Sequence, residues 1–297
     1  MTRPRARSRF VSLLSSALLF CGAGVAAAQA PDPGTERVVI NFRPVVGSRA
    51  FACGVAYDHL GASAVTFSDF RLYVHDARLV RRDGSEAPVS LEQDGLWQYR
   101  NVALLDFENG EGSCSNGTPD VRSFIAGTVP KGEYVGIRFA VGVPSDLNHL
   151  DVTRAPSPLT LTAMYWSWNT GYIFMRVEYT HGGSEGFFHL GSMRCASDRR
   201  AEPDSCALPN RPAIALREFD PRVDAIDVDL EALLRPVFTS SLRPQCMSEA
   251  TPSCASMFAA LGLAQGSRAA EPQLVFRAVH NTATRGGDAA KPAGRPQ

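Results

Sequence analysis

Hydrophobic and polar residues alternate over many short stretches of the chain, with the period of two that is typical of half-buried strands. In the clearest stretch, residues 67–80, the side chains of Phe70, Leu72 and Val74 share one face. An Asn-Thr-Gly turn at 169–171 predicts a hairpin between two such stretches. The predicted strands are 38–42, 67–80, 102–107, 134–141, 159–168, 171–179, 213–216, 225–228 and 273–279.

Helical patterns are few and lie late in the chain. Asp229 is a suitable N-cap for a helix over 230–234, and a second short helix is predicted over 255–263. Many short strands separated by glycine and proline favour an all-β fold, a β-sandwich or barrel-like single domain with short helical insertions towards the C-terminus. We expect this domain to span residues 36–279.

Both ends of the chain differ from this pattern. Residues 1–28 have four arginines, an apolar run over 11–25 and an Ala-Ala-Ala site at 26–28, which together predict a cleaved signal peptide. Cys21 suggests lipidation, but Phe20 is too large for the usual lipobox. No later stretch has the run of about 20 apolar residues that a membrane helix needs. We therefore expect a periplasmic or secreted protein without a membrane span, and a disordered tail over 280–297.

The charge excludes one class of function. The chain has 30 basic and 30 acidic residues, and loss of residues 1–28 with their four arginines leaves a mildly acidic protein. Its charges are scattered, without the basic patch that nucleic-acid binding requires. We expect no nucleic-acid partner.

Six cysteines remain after the signal peptide: Cys53, Cys114, Cys195, Cys206, Cys246 and Cys254. An even number in an exported chain predicts disulfides, although six cysteines allow fifteen connectivities. Short loops favour Cys195–Cys206 and Cys246–Cys254, which leaves Cys53–Cys114. The alternative is a thiolate metal site, but no spacing has the short gap that zinc sites favour, and exported proteins meet an oxidising environment.

Histidine and tryptophan supply the candidate chemistry. Trp166 and Trp168 lie two residues apart and would share one face of a strand, with His149 and His189 on either side in the sequence. Both rings could instead be ordinary core residues. If a metal binds here, imidazole donors suit copper, zinc, iron or nickel, and the indole neighbours favour copper. His75 is a further candidate ligand. His59 is expected in a turn, His181 in a flexible loop beside Gly182 and Gly183, and His280 at the start of the tail.

A series of short strings lies between residues 38 and 276. They are Tyr73-Val74-His75-Asp76, Leu104-Leu105-Asp106-Phe107-Glu108, Gly142-Val143-Pro144, Asn148-His149, Ala155-Pro156-Ser157-Pro158-Leu159, Trp166-Ser167-Trp168, Gly171-Tyr172 and His189-Leu190-Gly191-Ser192, with Cys246 and Cys254. In this order and spacing, the strings resemble the MbnP-like family of periplasmic copper proteins, also described as metallo-mystery pair four-Cys motif proteins.

The resemblance implies a copper-binding protein for acquisition, storage or transfer that is not itself an enzyme. The family is known for a tryptophan that is oxidised to kynurenine by a di-haem cytochrome c peroxidase-like partner (MbnH-type). Carried over to this sequence, it nominates His149, His189 and either Trp166 or Trp168 as the copper site. We favour Trp168, because the predicted hairpin places it near a sheet edge that a partner can approach.

Two other functions compete with this one. A metal-free secreted β-sandwich could bind a carbohydrate or protein through exposed tryptophans, namely Trp97, Trp166 and Trp168. A copper oxidoreductase is a weaker alternative, because the sequence indicates no second cofactor. Motifs for nucleophilic catalysis, phosphate binding or a zinc protease are absent from the sequence, and Asp106 and Glu108 are expected to be solvated acids at a strand end.

Overall fold

The computed structural model describes residues 33–61, 63–115, 117–196, 206–239, 245–249, 251–264 and 270–280. Within them the strands are β1 (Thr35–Val46), β2 (Arg49–Ala50), β3 (Ala56–Tyr57), β4 (Val65–Val80), β5 (Glu86–Pro88), β6 (Ser90–Leu91), β7 (Gln98–Tyr99), β8 (Val102–Asp106), β9 (Phe124–Pro130), β10 (Gly136–Val141), β11 (Tyr165–Ser167), β12 (Gly171–Tyr172), β13 (Met175–His181), β14 (Ser184–Leu190), β15 (Met193–Cys195), β16 (Cys206–Leu208), β17 (Ala213–Arg217), β18 (Asp224–Asp229), β19 (Gln245–Cys246) and β20 (Phe276–His280). The helices are α1 (Leu230–Phe238) and α2 (Pro252–Ala260), with a 3₁₀ turn at Thr162–Met164.

Two large sheets hold most of these strands. One has the order β20-β18-β1-β9-β6, and the other has the order β17-β10-β4-β13-β14-β19, with β3, β5 and β8 also paired to β4. Phe139 of the second sheet makes edge-to-face contacts with Phe42 and Phe276 of the first, at centroid distances of 5.6 and 5.4 Å. The inner faces of the two sheets thus form a common core, and the all-β prediction is confirmed.

β4 is the central strand of the larger sheet. It has five partner strands, and residues 69–75 are buried on both faces of the sheet. Asp76, at a φ of 53°, lies where the register between β4 and β10 shifts. The alternation at 67–80 therefore predicts the strand correctly. It does not predict that the polar face is buried as well, because that burial depends on elements elsewhere in the sequence.

Two predictions about elements need correction. Residues 159–168 are mainly turn and 3₁₀ structure, because Pro156 and Pro158 precede turns closed by Leu159 N–H to Pro156 O and Leu161 N–H to Pro158 O. Only the hairpin of β11 with β12 remains, and β13 joins the large sheet instead. β11 ends at Ser167, so Trp168 lies outside the strand. The alternation of side chains along a strand therefore does not place Trp166 and Trp168 on one face.

All three predicted disulfides are present. Cys53 bonds to Cys114, Cys195 to Cys206, and Cys246 to Cys254. None of the described helices is long and apolar enough to cross a membrane. The predicted signal peptide at 1–28 and residues 281–297 of the predicted tail lie outside the described residues, whereas His280 still belongs to β20.

Candidate metal centre

The loop that follows β10 carries His149. It is closed by turns from Leu147 N–H to Pro144 O and from Leu150 N–H to Leu147 O. Asn148 is fully buried, and its Oδ1 accepts a hydrogen bond from Tyr172 N–H at 3.1 Å. The Asn148 side chain therefore holds the loop against β12, directly beside the hairpin that contains the tryptophans.

His149 contacts Trp168 through both its ring and a hydrogen bond. The ring centroids are 6.5 Å apart, and His149 Nδ1 lies 2.9 Å from the backbone oxygen of Trp168. A carbonyl oxygen can only accept, so Nδ1 carries the proton and Nε2 has the lone pair. Metal-binding histidines are oriented by this kind of second hydrogen bond. His149 Nε2 lies 3.3 Å from Asn148 Nδ2 and 3.7 Å from Cys206 Sγ.

Trp166 takes a different position from Trp168. Its half-buried ring lies on the backbone at Gly191, where a Cβ atom would overlap the six-membered part of the indole. Ser248 Oγ fixes this backbone, because it accepts from Gly191 N–H and donates to the carbonyl oxygen of His189. Trp166 is thus packed against the segment that begins two residues after His189.

His189 lies on β14 in a charged environment. Its Nε2 is 3.0 Å from Glu178 Oε1, and its ring stacks on Phe187 at 4.9 Å. The hydrogen bond from His189 is the main reason why the pKa of Glu178 is lowered. Because the carboxylate accepts from Nε2, the lone pair of the neutral ring is on Nδ1, and this buried nitrogen has no hydrogen-bond partner among the described residues.

His75 shows the same arrangement at a third place. Its Nδ1 lies 3.2 Å from Asp76 Oδ2, and its buried Nε2 has no hydrogen-bond partner within the described parts of the chain. Burial lowers the pKa of His75 and so favours the neutral, ligand-competent imidazole.

The structure brings together only part of the nominated site. His149 and Trp168 touch, whereas the contacts of the described residues include none that joins His189 or His75 to His149. His149 does form a group of metal-ligand atoms within 4.8 Å of one another, with Cys195 and Cys206. Sequence reasoning weighed a thiolate site only by the spacing between cysteines, so it missed His149, which is distant from both cysteines in the sequence.

Two further expectations are corrected. Asp106 and Glu108 are 3% and 1% exposed, not solvated, and Arg71 Nη1 lies 3.4 Å from Glu108 Oε1. Burial raises the pKa of Asp106 to about 7. Asp106 pairs in register with Arg71 of the central strand β4, and a strand pattern alone does not reveal this placement.

The three tryptophans are half-buried, not exposed. Trp97 and Trp166 also pack against the hydrophobic core. Each leaves only part of an indole face for a ligand, and the alternative of a carbohydrate or protein bound through these rings stays a prediction.

The fold and the site define a disulfide-bonded β-sandwich with an oriented histidine beside a tryptophan hairpin. Residues 35–248 match the MbnP family, and the chain belongs to that family. The solved structure of MbnP from Methylosinus trichosporium superposes with a TM-score of 0.70 and is 29% identical in sequence. The match covers 83% of this chain and 99% of that chain. A comparison with curated proteins finds no match.

Proposed function

We propose that this protein binds copper outside the cytoplasm, for copper acquisition, storage or transfer, and that it is a binding protein and not an enzyme. The observation that carries the proposal is the position of His149, whose Nδ1 is fixed by the carbonyl of Trp168 while the lone pair of Nε2 accepts a 3.3 Å hydrogen bond from Asn148 Nδ2, which a metal would displace. Neutral imidazole is a good ligand for copper.

The chemistry of the donors supports copper over the hard metals. His149 Nε2, His189 Nδ1 and His75 Nε2 each belong to a ring whose other nitrogen is hydrogen-bonded to a protein oxygen. Magnesium and calcium would require several oxygen ligands instead. The neighbouring cysteines are paired, so the oxidised protein would use nitrogen donors. We assign His149 as the principal ligand, with His189 and His75 as additional candidates.

We also propose that Trp168 is oxidised to kynurenine by a di-haem cytochrome c peroxidase-like partner. Ring opening would create an aromatic amine, a nitrogen donor that indole does not have. Contact with His149 favours Trp168 over Trp166, whose ring is packed on Gly191. After co-expression with such a partner, the peptide containing Trp168 should gain one oxygen atom and lose one carbon atom by mass spectrometry.

The three disulfides support a periplasmic or secreted location, because they persist in oxidising compartments. The predicted signal peptide agrees with this location. Fractionation of cells that express the full chain should place the protein outside the cytoplasm.

Copper titration of histidine variants tests the proposal. The wild-type protein should retain about one copper per chain, and the His149→Ala/His189→Ala double variant should retain none. His149→Ala alone should cost more affinity than His189→Ala or His75→Ala. His59→Ala is the matched control, because His59 pairs with Glu231 at 3.2 Å, away from the tryptophan hairpin, and should bind copper normally. Full copper content in the folded double variant would refute the assignment.

A further inference from the structure

A second group of donors surrounds the Cys195–Cys206 disulfide. β15 and β16 pair with Cys195 directly opposite Cys206, so the two side chains project from neighbouring strands at the same level. His149 Nε2 lies 3.7 Å from Cys206 Sγ, and the three ligand atoms are all within 4.8 Å of one another. One imidazole nitrogen and two sulfur atoms therefore already lie together.

The spacing suits a tetrahedral ion. Metal–sulfur and metal–nitrogen bonds of about 2.3 and 2.0 Å place the two donor atoms about 3.5 Å apart at a tetrahedral angle. The observed separation of His149 Nε2 and Cys206 Sγ, 3.7 Å, is close to this value. The hydrogen bond from Nδ1 to Trp168 O leaves the lone pair on the nitrogen that faces the sulfur. The two sulfur atoms must separate, and the 3.3 Å hydrogen bond from Asn148 Nδ2 to His149 Nε2 must give way to the ion.

We propose that reduction of Cys195–Cys206 creates a Cys₂His site, with His149, for a thiolate-preferring ion such as zinc(II) or copper(I). In the reduction, two molecules of a thiol reductant supply two electrons and two protons; the S–S bond breaks, two cysteine thiols form, and the reductant becomes a disulfide. A divalent ion then displaces both thiol protons and bonds to two thiolates and His149 Nε2. Reoxidation releases the ion, so the group is a redox-controlled metal site.

The proposal is specific to one disulfide of three. Among the described residues, no other group of three or more His, Cys, Asp or Glu side chains has metal-ligand spacing, so Cys53–Cys114 and Cys246–Cys254 have no such donors beside them. The site shares His149 with the copper site proposed above, but it requires neither tryptophan modification nor copper binding by the oxidised protein.

The test follows the redox state of each disulfide in the same molecule. Purified full-length protein is equilibrated in glutathione redox buffers with and without zinc(II), and the free thiols are then alkylated and assigned by peptide mass spectrometry. Zinc at about ten times its dissociation constant should raise the reduced-to-oxidised ratio of the Cys195–Cys206 pair about tenfold. The other two pairs should not respond, which also controls for zinc binding by glutathione.

Two variants locate the third ligand. His149→Ala should abolish the zinc-dependent shift, whereas His59→Ala, the matched control, should keep it, because His59 pairs with Glu231 at 3.2 Å. If His149→Ala does not fold, cobalt(II) added to the reduced wild-type protein should give a thiolate-to-cobalt charge-transfer band that is absent from the oxidised protein. No shift in the wild type, an equal shift in all three pairs, or a full shift in folded His149→Ala would overturn the proposal. Copper titration of the oxidised protein is a separate readout, so the two proposals can fail independently.

Discussion

Trp166 and Gly191 show how one missing side chain shapes the site. The indole ring lies where a Cβ atom of residue 191 would be, and the carbonyl oxygen of Tyr172 would be 2.9 Å from the same atom. The close approach of the hairpin to the segment after β14 therefore depends on glycine at this position. Burial of the ring against the core adds to the stability of this contact.

Gly191→Ala should displace the Trp166 ring and destabilise the protein by about 1–3 kcal/mol, the usual cost of overpacking. Chemical denaturation followed by tryptophan fluorescence would measure both effects. Gly132→Ala is the control, because its Cβ would be no closer than 3.4 Å to any neighbour. Equal stability of the two variants would show that Trp166 is not packed as described.

Among the elements, α1 is the one whose start is easiest to derive from the sequence. Asp229 Oδ1 accepts from Glu231 N–H at 2.9 Å and from Ala232 N–H at 3.4 Å, as expected of an N-cap. The same side chain also accepts from Gly47 N–H at 2.9 Å and from Arg277 Nη1 at 2.8 Å. The cap thus joins α1 to the end of β1 and to β20.

Asp229→Ala should reduce the free energy of unfolding by about 2 kcal/mol or more, because it removes the cap and leaves Arg277 without this partner. Thr251→Ala is a suitable comparison, since Thr251 caps α2 through a single bond to Cys254 N–H at 3.2 Å. That change should cost about 1 kcal/mol. Urea denaturation would contradict this account if Thr251→Ala were the more damaging of the two.

Local patterns predict some elements and fail for others for physical reasons. The alternation at 67–80 and the cap at Asp229 are local signals, so the corresponding elements are confirmed. Residues 159–168 contain similar hydrophobic residues, but their backbone bonds are made within turns. β9 and β14 were not predicted. β9 pairs with β1, which is distant in the sequence, whereas β14 forms a hairpin with β13 across Gly182 and Gly183, a local turn signal that the sequence analysis did not use.

The site was predictable in type but not in arrangement. His149, Trp166 and Trp168 are recognisable from the sequence, and His149 does contact Trp168. Two other contacts depend on how separate elements pack. They are the contact of Trp166 with Gly191 and the approach of Cys206 to His149. The sequence contains no local signal for either contact.

At the scale of the whole molecule, a cluster of buried charged residues extends over the neighbouring strands β8, β4 and β13 of the larger sheet. Arg71 forms ion pairs with Asp69 and Glu108, and Arg176 Nε lies 2.9 Å from Asp69 Oδ2. Asp106, on the strand next to Arg71, is buried as well, and burial is the main cause of its raised pKa of about 7. The folded protein therefore binds a proton here that the unfolded chain, with an aspartate pKa of about 3.9, releases.

Asp106 should make the protein less stable as the pH rises from about 4 to 7. In this range the folded state holds more protons than the unfolded state, so its contribution to the free energy of unfolding falls by up to about 1.4 kcal/mol per pH unit. Asp106→Asn removes this term while keeping an oxygen for Glu108 N–H. The stability of the variant relative to wild type should rise over this pH range in urea titrations, and a constant difference would contradict the raised pKa.

Anomalous diffraction at the copper edge tests the central claim, that this chain holds copper at His149 beside Trp168, most directly. Crystals of the oxidised, copper-loaded protein should show a peak within bonding distance of His149 Nε2, next to the hairpin of β11 and β12. A copper peak bonded only to other residues, or no ordered copper in a protein that retains its fold, would contradict the account.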